Sequence, residues 1–547
     1  MKKNLLLIVL GLSLNTYAQE FQPMHGDQHN TMQGPGGSGV LFANDVAIAP
    51  SVSLRQHGTS ISVAFNGWIY EATGLETMDS DSSGGLVRYS RDNGFTWLTL
   101  VSFLYPGVDY LQPEIEVTGT DTNSLYLFIA SAWYDTTTLS ADVWVDKYNA
   151  TNGMFINEVY NEALQYPVRD VDLASDYKFP AWMSSPYSIG LLYSHYGSTD
   201  SLIFVSSGDA GVTWGNRTGV AGTAGYMDQV SLAFGISSNW SNGRYFAAWE
   251  DRTSFSAAAV GKIKTAHCIS VFNGAWTSPR SLDSLDPGVS GVARRPRIAC
   301  LYNNTVTNDS SGLTVAVIFE RAYGGDTADC DIIGFYSKSQ PSSNYWSRFD
   351  VVNNSYQTLQ PDIEFDPAYN NFLLTFFNRS QQQMPYLVHD FNMINPATWV
   401  VITPNYCDQP ATLKDPFPRV TINPVLTQAA FSWTRIATGP TREQAMFDAE
   451  YASTGIIAVS SPQAEMNLYP NPAQNETWLT FYMQTEQRVT IDIYSMDGKR
   501  VMNVLDQTIA EGPQRILIPT TDLANGMYLA AVSYNGETHS VQMIVNH

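Results

Sequence analysis

The chain has 547 residues, with 29 Lys and Arg against 51 Asp and Glu, for a formal charge of −22. That sign repels phosphate backbones, so nucleic acid is excluded as a partner. Its 39 glycines, 27 prolines and 12% aromatic residues favour an all-β chain of short strands and turns, and its length suits a repeat domain plus an appended module.

The first segment places Lys2 and Lys3 ahead of an apolar run from Leu5 to Leu14 and closes on Thr16-Tyr17-Ala18. This pattern predicts a secretory signal peptide over residues 1–18. No later apolar run reaches the roughly 18 residues that span a bilayer. In an exported chain Cys268, Cys300, Cys330 and Cys407 have the number for two disulfides by any of three connectivities, and their spacing does not suit zinc.

From residue 19 to 458 a long period governs the chain. A strand-opening phrase, P-x-[IV] or a degraded form of it, recurs seven times, with middle residues Ser51, Glu114, Asp170, Gln229, Arg297, Asp362 and Arg419. The mean spacing is about 61 residues, enough for one four-stranded propeller blade. Each phrase leads to an apolar second strand, such as LYLFIASAW or NFLLTFFNR, and then to a third strand that ends at an aromatic: Trp97, Phe155, Trp214, Trp276, Trp346 or Trp399. The seventh repeat runs out early, and residues 39–49 (GVLFANDVAIA) are placed to supply its missing outer strand. Such an exchange would close a seven-bladed ring and remove exposed sheet edges.

Two of the third-strand turns are nearly the same octet, SRDNGFTW at Ser90–Trp97 and SGDAGVTW at Ser207–Trp214. Gly94 and Gly211 permit left-handed backbone, Asp92 and Asp209 can accept turn amides, Ser90 and Ser207 open the turn, and Trp97 and Trp214 pack between sheets. This S-x-D-x-G-x-T-W pattern resembles the Asp box (BNR repeat) of sialidase-like β-propellers. The resemblance implies the propeller fold, with the box in a structural role on the face opposite a ligand.

After a polar linker at 459–466 the period stops, and residues 467–547 alternate apolar and polar positions between Gly, Pro and Asn turns, as strands of a small Ig-like sandwich do. Tyr469-Pro470-Asn471-Pro472, the stretch Tyr494–Lys499 (YSMDGK), Asp522-Leu523-Ala524 and Gly526-Met527-Tyr528 together resemble the type A C-terminal sorting domain of the type IX secretion system of Bacteroidota. The resemblance implies the type IX machinery as a partner, and commonly removal of the domain with attachment of the cargo to surface lipopolysaccharide. Expected localisation is secreted or on the outer-membrane surface of a Gram-negative bacterium.

In a propeller the loops entering first strands and leaving second strands share one face. The expected ligand-binding residues at this mouth are therefore Glu114, Asp170, Arg297, Asp362 and Arg419 from first strands, with His195, Asp251, Arg321, Arg379 and Arg435 near the ends of second strands. Arginines can clamp a carboxylate or sulfate, whereas pairing with acids of adjacent repeats would tie the ring together. The phrases that carry sialidase chemistry are not found, and catalytic residues stay unassigned. Asp79, Asp81 and Ser83 begin like a calcium loop whose twelfth position is Ser90 instead of Glu, making calcium the only cofactor to consider. Trp68, Tyr70, Trp133 and Tyr134 could stack on sugars or pack between repeats. The expected function is binding of a glycan or another extracellular polymer; the alternatives are a sialidase-type glycoside hydrolase and a structural component of surface assembly.

Overall fold

The computed structural model describes residues 41–42, 45–49, 54–119, 124–135, 137–176, 187–197, 201–220, 225–237, 240–254, 261–268, 275–282, 291–302, 313–323, 326–338, 346–352, 356–366, 371–389, 399–408, 412–438, 442–451, 467–469, 473–483, 487–495, 499–510, 512–534 and 537–547. The expected signal peptide, the phrase at Pro50–Val52 and the linker at 459–466 lie outside them. All regular elements among the described residues are strands, and no helix there is long and apolar enough to cross a membrane. The chain divides into two compact units, one containing residues 28–453 and the other 454–547.

The larger unit is a β-propeller of antiparallel repeats. Repeat 1 is representative: Leu54–Val63, Ile69–Thr77, Ser82–Ser90 and Leu98–Pro106 pair in chain order. The first strands of the repeats are Leu54–Val63, Glu114–Thr118, Val168–Ser175, Gly225–Ser237, Gly291–Tyr302, Thr358–Asp366 and Arg419–Asn423. Each adjoins the next, and the last adjoins the first.

Burial falls from the axis outwards, and the sequence follows it. Second strands are covered on both faces and read as nearly unbroken apolar runs, as in Asn371–Asn378. The third strand Ser140–Asn149 alternates half-buried and buried positions along most of its length, and the fourth strands Leu98–Pro106 and Phe155–Leu164 are largely exposed. Apolar clusters fill the seams between repeats; one joins Ile48, Ile69 and Trp97 to Ala430 and Phe447.

That last seam is where the ring closes, with the N-terminal segment as its strap. Leu41 and Phe42 pair with Tyr451 and Glu450, and Val46 and Ala47 pair with Phe447 and Met446. The Ile48 amide donates to Ala445 O at 3.0 Å, Arg88 Nη1 donates to Ile48 O, and Gln56 binds both sides by donating to Ala49 O and accepting from the Ala445 amide. Thus residues far apart in sequence supply the outer strand that repeat 7 lacks.

The two octets are self-contained turns at the end of the propeller where second strands begin, Ser90 lying opposite Ile69 and Ser207 opposite Ile189. In each, the serine hydroxyl accepts the glycine amide at 2.8 Å. The aspartate accepts both the amide and the hydroxyl of the threonine four residues on, the hydroxyl at 2.6 Å in both copies. Gly94 and Gly211 have φ of +91° and +76°, and a Cβ at either would collide with an aromatic ring of the preceding repeat, Phe447 or Phe128.

In the smaller unit, Asn467–Tyr469, Glu476–Met483 and Gly512–Pro519 form one sheet, and Arg500–Ile509, Gln487–Ser495, Gly526–Tyr534 and Glu537–Val545 form the other. Leu479, Ile491, Ile493, Ile518, Ala530 and Val532 are among the side chains that make its core.

The disulfide expectation is overturned: all four cysteines are free and buried. They behave as small apolar fillers, and burial pushes the Cys268 thiol up to about 11. Tyr70 is likewise wholly buried, its hydroxyl donating to Ala150 O, so it offers no sugar platform.

Candidate ligand-binding site

Along the axis runs a cavity of about 120 Å³ lined by residues from every first strand. One polar side chain per repeat forms its ring: Ser60, Glu114, Asp172, Ser231, Arg297, Asp362 and Arg419. Glu114, Arg297, Asp362 and Arg419 were expected there, and three, Ser60, Asp172 and Ser231, were not. In repeats 3 and 4 the expected Asp170 and Gln229 precede the ring by two positions, so Asp172 and Ser231 stand in their place. Asp170 and Asp172 share a strand face, because side chains repeat every second residue, whereas Gln229 is the extra residue of a β-bulge between Asp228 and Val230.

Four of the ring residues, Ser60, Asp172, Ser231 and Asp362, are of polar type for a backbone reason. Successive first strands are not laddered to each other, so amides on their free edges need other acceptors. Side chains of the preceding repeat supply them. The Ile115 and Val117 amides donate to Ser60 Oγ and Ser62 Oγ, both at 3.2 Å. Val230 and Leu232 donate to Asp170 and Asp172 at 2.8 and 2.7 Å, Ile298 to Ser231 Oγ at 3.2 Å, and Val420 to Asp362 at 2.8 Å. Pro113, Pro296, Pro361 and Pro418 precede the ring residue in four repeats, where a missing N–H spares the edge a donor.

Charged members are tied across repeats. Arg419 donates to Glu114 at 2.7 Å and to Thr59 O at 3.0 Å, and its Nη1 lies 3.7 Å from Asp362 Oδ1. Arg297 Nε lies 3.5 Å from the same oxygen. One layer further in, Glu116 accepts the hydroxyls of Ser62 and Ser175 at 3.2 and 2.7 Å. Burial, with Glu114 nearby, pushes Asp172 up to about 8 against the opposing pull of Arg297; burial likewise lifts Asp170 to about 7. Asp362 is raised by burial despite Arg419 and Arg297. Asp172 therefore holds its proton more tightly than an exposed carboxyl does, in a cavity that also holds serine hydroxyls, other carboxyls and guanidinium groups.

The remaining expected residues do not join the ring. Asp251 is held by Lys264 at 2.5 Å, and Arg379 pairs with Asp415. His195 is buried and stacks against Tyr193, with ring centroids 6.1 Å apart. Arg321 and Arg435 are buried within their repeats. Other pairs edge the mouth: Arg55 with Glu76 at 2.7 Å, Arg252 with Asp228 at 2.8 Å and Arg295 with Glu320 at 2.8 Å. As for calcium, the Ser83 hydroxyl is committed to Val108 O and the Tyr110 amide, and Asp79 accepts the Asp81 amide in a tight turn. Among the described residues no group of three or more His, Cys, Asp or Glu could hold a metal ion.

No curated protein matches the chain. Among solved structures, a protein of unknown function from Dyadobacter fermentans aligns at 12% identity and a TM-score of 0.42, over 76% of this chain and 99% of its own. The α-L-arabinofuranosidase Arb93A of Fusarium graminearum aligns at 13% identity and 0.40, over 62% and 93%. NanB sialidase of Streptococcus pneumoniae aligns at 11% identity and 0.39, over 66% and 71%. Residues 467–546 match the family described as the secretion system C-terminal sorting domain, so the smaller unit is a sorting tail that directs the chain to the type IX secretion machinery.

Proposed function

We propose that the protein is an exported, surface-delivered or secreted propeller that binds a glycan or a similar extracellular polymer at its axial mouth. One observation carries this reading: all seven repeats contribute a polar side chain to a single cavity, in which hydroxyls, carboxyls and ion-paired arginines are held in place by bonds to neighbouring strands. A preset array of donors and acceptors suits a polyhydroxylated ligand, since little ordering is needed on binding. Catalysis would ask for a carboxyl group free to exchange protons with substrate. Here Glu114 and Asp362 are engaged by Arg419, Glu116 by two serines and Asp172 by the Leu232 amide. The sialidase-like octets support the same fold-level reading, and their hydrogen bonds are spent within the turn.

The test is to screen the full chain on a glycan array and against a panel of fluorogenic glycosides. Binding without turnover is expected; Asp172→Ala should weaken it by removing the carboxyl that lines the cavity and accepts the Leu232 amide, whereas Asp172→Asn, whose amide keeps both a donor and an acceptor, should retain it. Hydrolysis of any glycoside, or silence on both panels, overturns the proposal.

A further inference from the structure

Directly ahead of the axial ring the backbone repeats a strained conformation. Gly58, Gln229, Arg295, Gln360 and Phe417 have φ of +64°, +43°, +49°, +55° and +46°, and each lies two residues before a ring residue. Positive φ is easy for glycine, uncommon for Gln or Arg, and an outlier for a side chain as bulky as Phe. Strain of this kind persists where the surroundings over-determine it, and it gathers at ligand clamps.

At Phe417 the surroundings do so visibly. Its amide donates to Gln360 Oε1 at 2.9 Å, and the Gln360 amide in turn donates to Glu320 Oε1 at 2.6 Å. Glu320 also holds Arg295 at 2.8 Å, and the Arg295 guanidinium lies 5.7 Å from the Phe417 ring centroid. Repeats 5, 6 and 7 thus combine to fix one aromatic ring that stays 38% exposed, two residues from the axial Arg419. Core packing does not require that ring where it stands.

We propose that Phe417 is the stacking platform for an uncharged sugar residue whose hydroxyls enter the axial ring, an inference that rests on the reading of the mouth as a glycan site. An aromatic face matches the C–H face of a pyranose, and the cavity that Arg419 lines, two residues further on, offers hydroxyl, carboxyl and guanidinium partners for the sugar's hydroxyls. Charge selects against acidic sugars. The cavity lining carries Glu114, Glu116, Asp172, Asp362 and Glu364 against only Arg297 and Arg419, and both arginines are already paired with acids.

Calorimetric titration of the full chain with neutral oligosaccharides (gluco-, manno-, xylo- and arabino-series) and with acidic ones (oligogalacturonides, sialyllactose) tests this. The wild type should bind a neutral series. Phe417→Ala should weaken that binding roughly tenfold, and Phe417→Trp should retain it. Phe417→Gly separates stacking from structure: the glycine accepts the left-handed backbone, so the melting temperature should hold or rise while affinity falls. If the wild type binds no glycan, the underlying reading of the mouth fails. If it binds a neutral glycan and Phe417→Ala binds equally well, only the platform is wrong; tighter binding of the acidic series sinks the claim for an uncharged ligand.

Discussion

The two ends of the propeller solve the same problem, unsatisfied backbone amides, at opposite ranges. At the octet end, Ser90 and Asp92 bond residues four positions away, within a single turn. At the axial end, Ser60, Asp172 and Asp362 bond amides 55, 60 and 58 residues away, across a seam between repeats. Local bonds secure one turn each, whereas bonds between repeats secure the ring. The axial end should therefore be the more sensitive to substitution and to pH.

The largest expected effect is of pH. Asp172, carried by burial from 3.8 to about 8, binds its proton more tightly in the folded state, so its contribution is present below 3.8 and lost as pH climbs through 8. Asp170, Asp45 and Glu250, each lifted by burial to about 7, act in the same direction. Urea midpoints should fall between pH 4 and pH 8, and Asp172→Asn should flatten that slope. Asp209 in the second octet has the opposite sign. Burial works against it, but the Thr213 hydroxyl and amide hold it below its ordinary value, so its contribution is lost only as pH falls below 3.8. A stability curve that rises from pH 4 to pH 8 would break the contrast between the two ends.

Next in size, Asp362→Ala removes the acceptor of the Val420 amide and leaves Arg297 and Arg419 short of a partner. The expected cost is about 4 kcal/mol by chemical denaturation. Gly94→Ala, the harshest change at the octet end, forces a Cβ into the Phe447 ring at a left-handed backbone and should cost about 3 kcal/mol. Ser60→Ala orphans the Ile115 amide for about 1–2 kcal/mol. Thr96→Val, which removes one exposed hydroxyl bond to Asp92, should cost under about 1 kcal/mol. Should Thr96→Val prove as damaging as Ser60→Ala, range of bonding would not be what separates the two ends.

The same difference in range decided what could be read before the fold was known. The octets announce their own hydrogen bonds, because donor and acceptor sit in one eight-residue phrase. The prolines at 113, 296, 361 and 418 mark first strands because each lies on a free strand edge. Residues 39–49 could be nominated as the closing strand from the shortfall of repeat 7, and the pairing of Leu41, Phe42, Val46 and Ala47 with Arg442–Tyr451 follows that expectation. In repeats 3 and 4, by contrast, the marker proline is missing, so Asp170 and Gln229 stood in for Asp172 and Ser231. Cysteine number suggested disulfides, but it says nothing of which thiols meet.

By itself, then, the amino-acid sequence determined an all-β repeat, its approximate period, its two special turns and the sorting tail, because each of these is written in residues close together along the chain. Only the tertiary structure decided which seven side chains meet at the axis, which carboxyls burial makes harder to ionise there and why Phe417 stands exposed on a strained backbone. Those properties arise where strands about 60 residues apart come side by side, and burial and charge at such a place are sums over all the repeats of the ring.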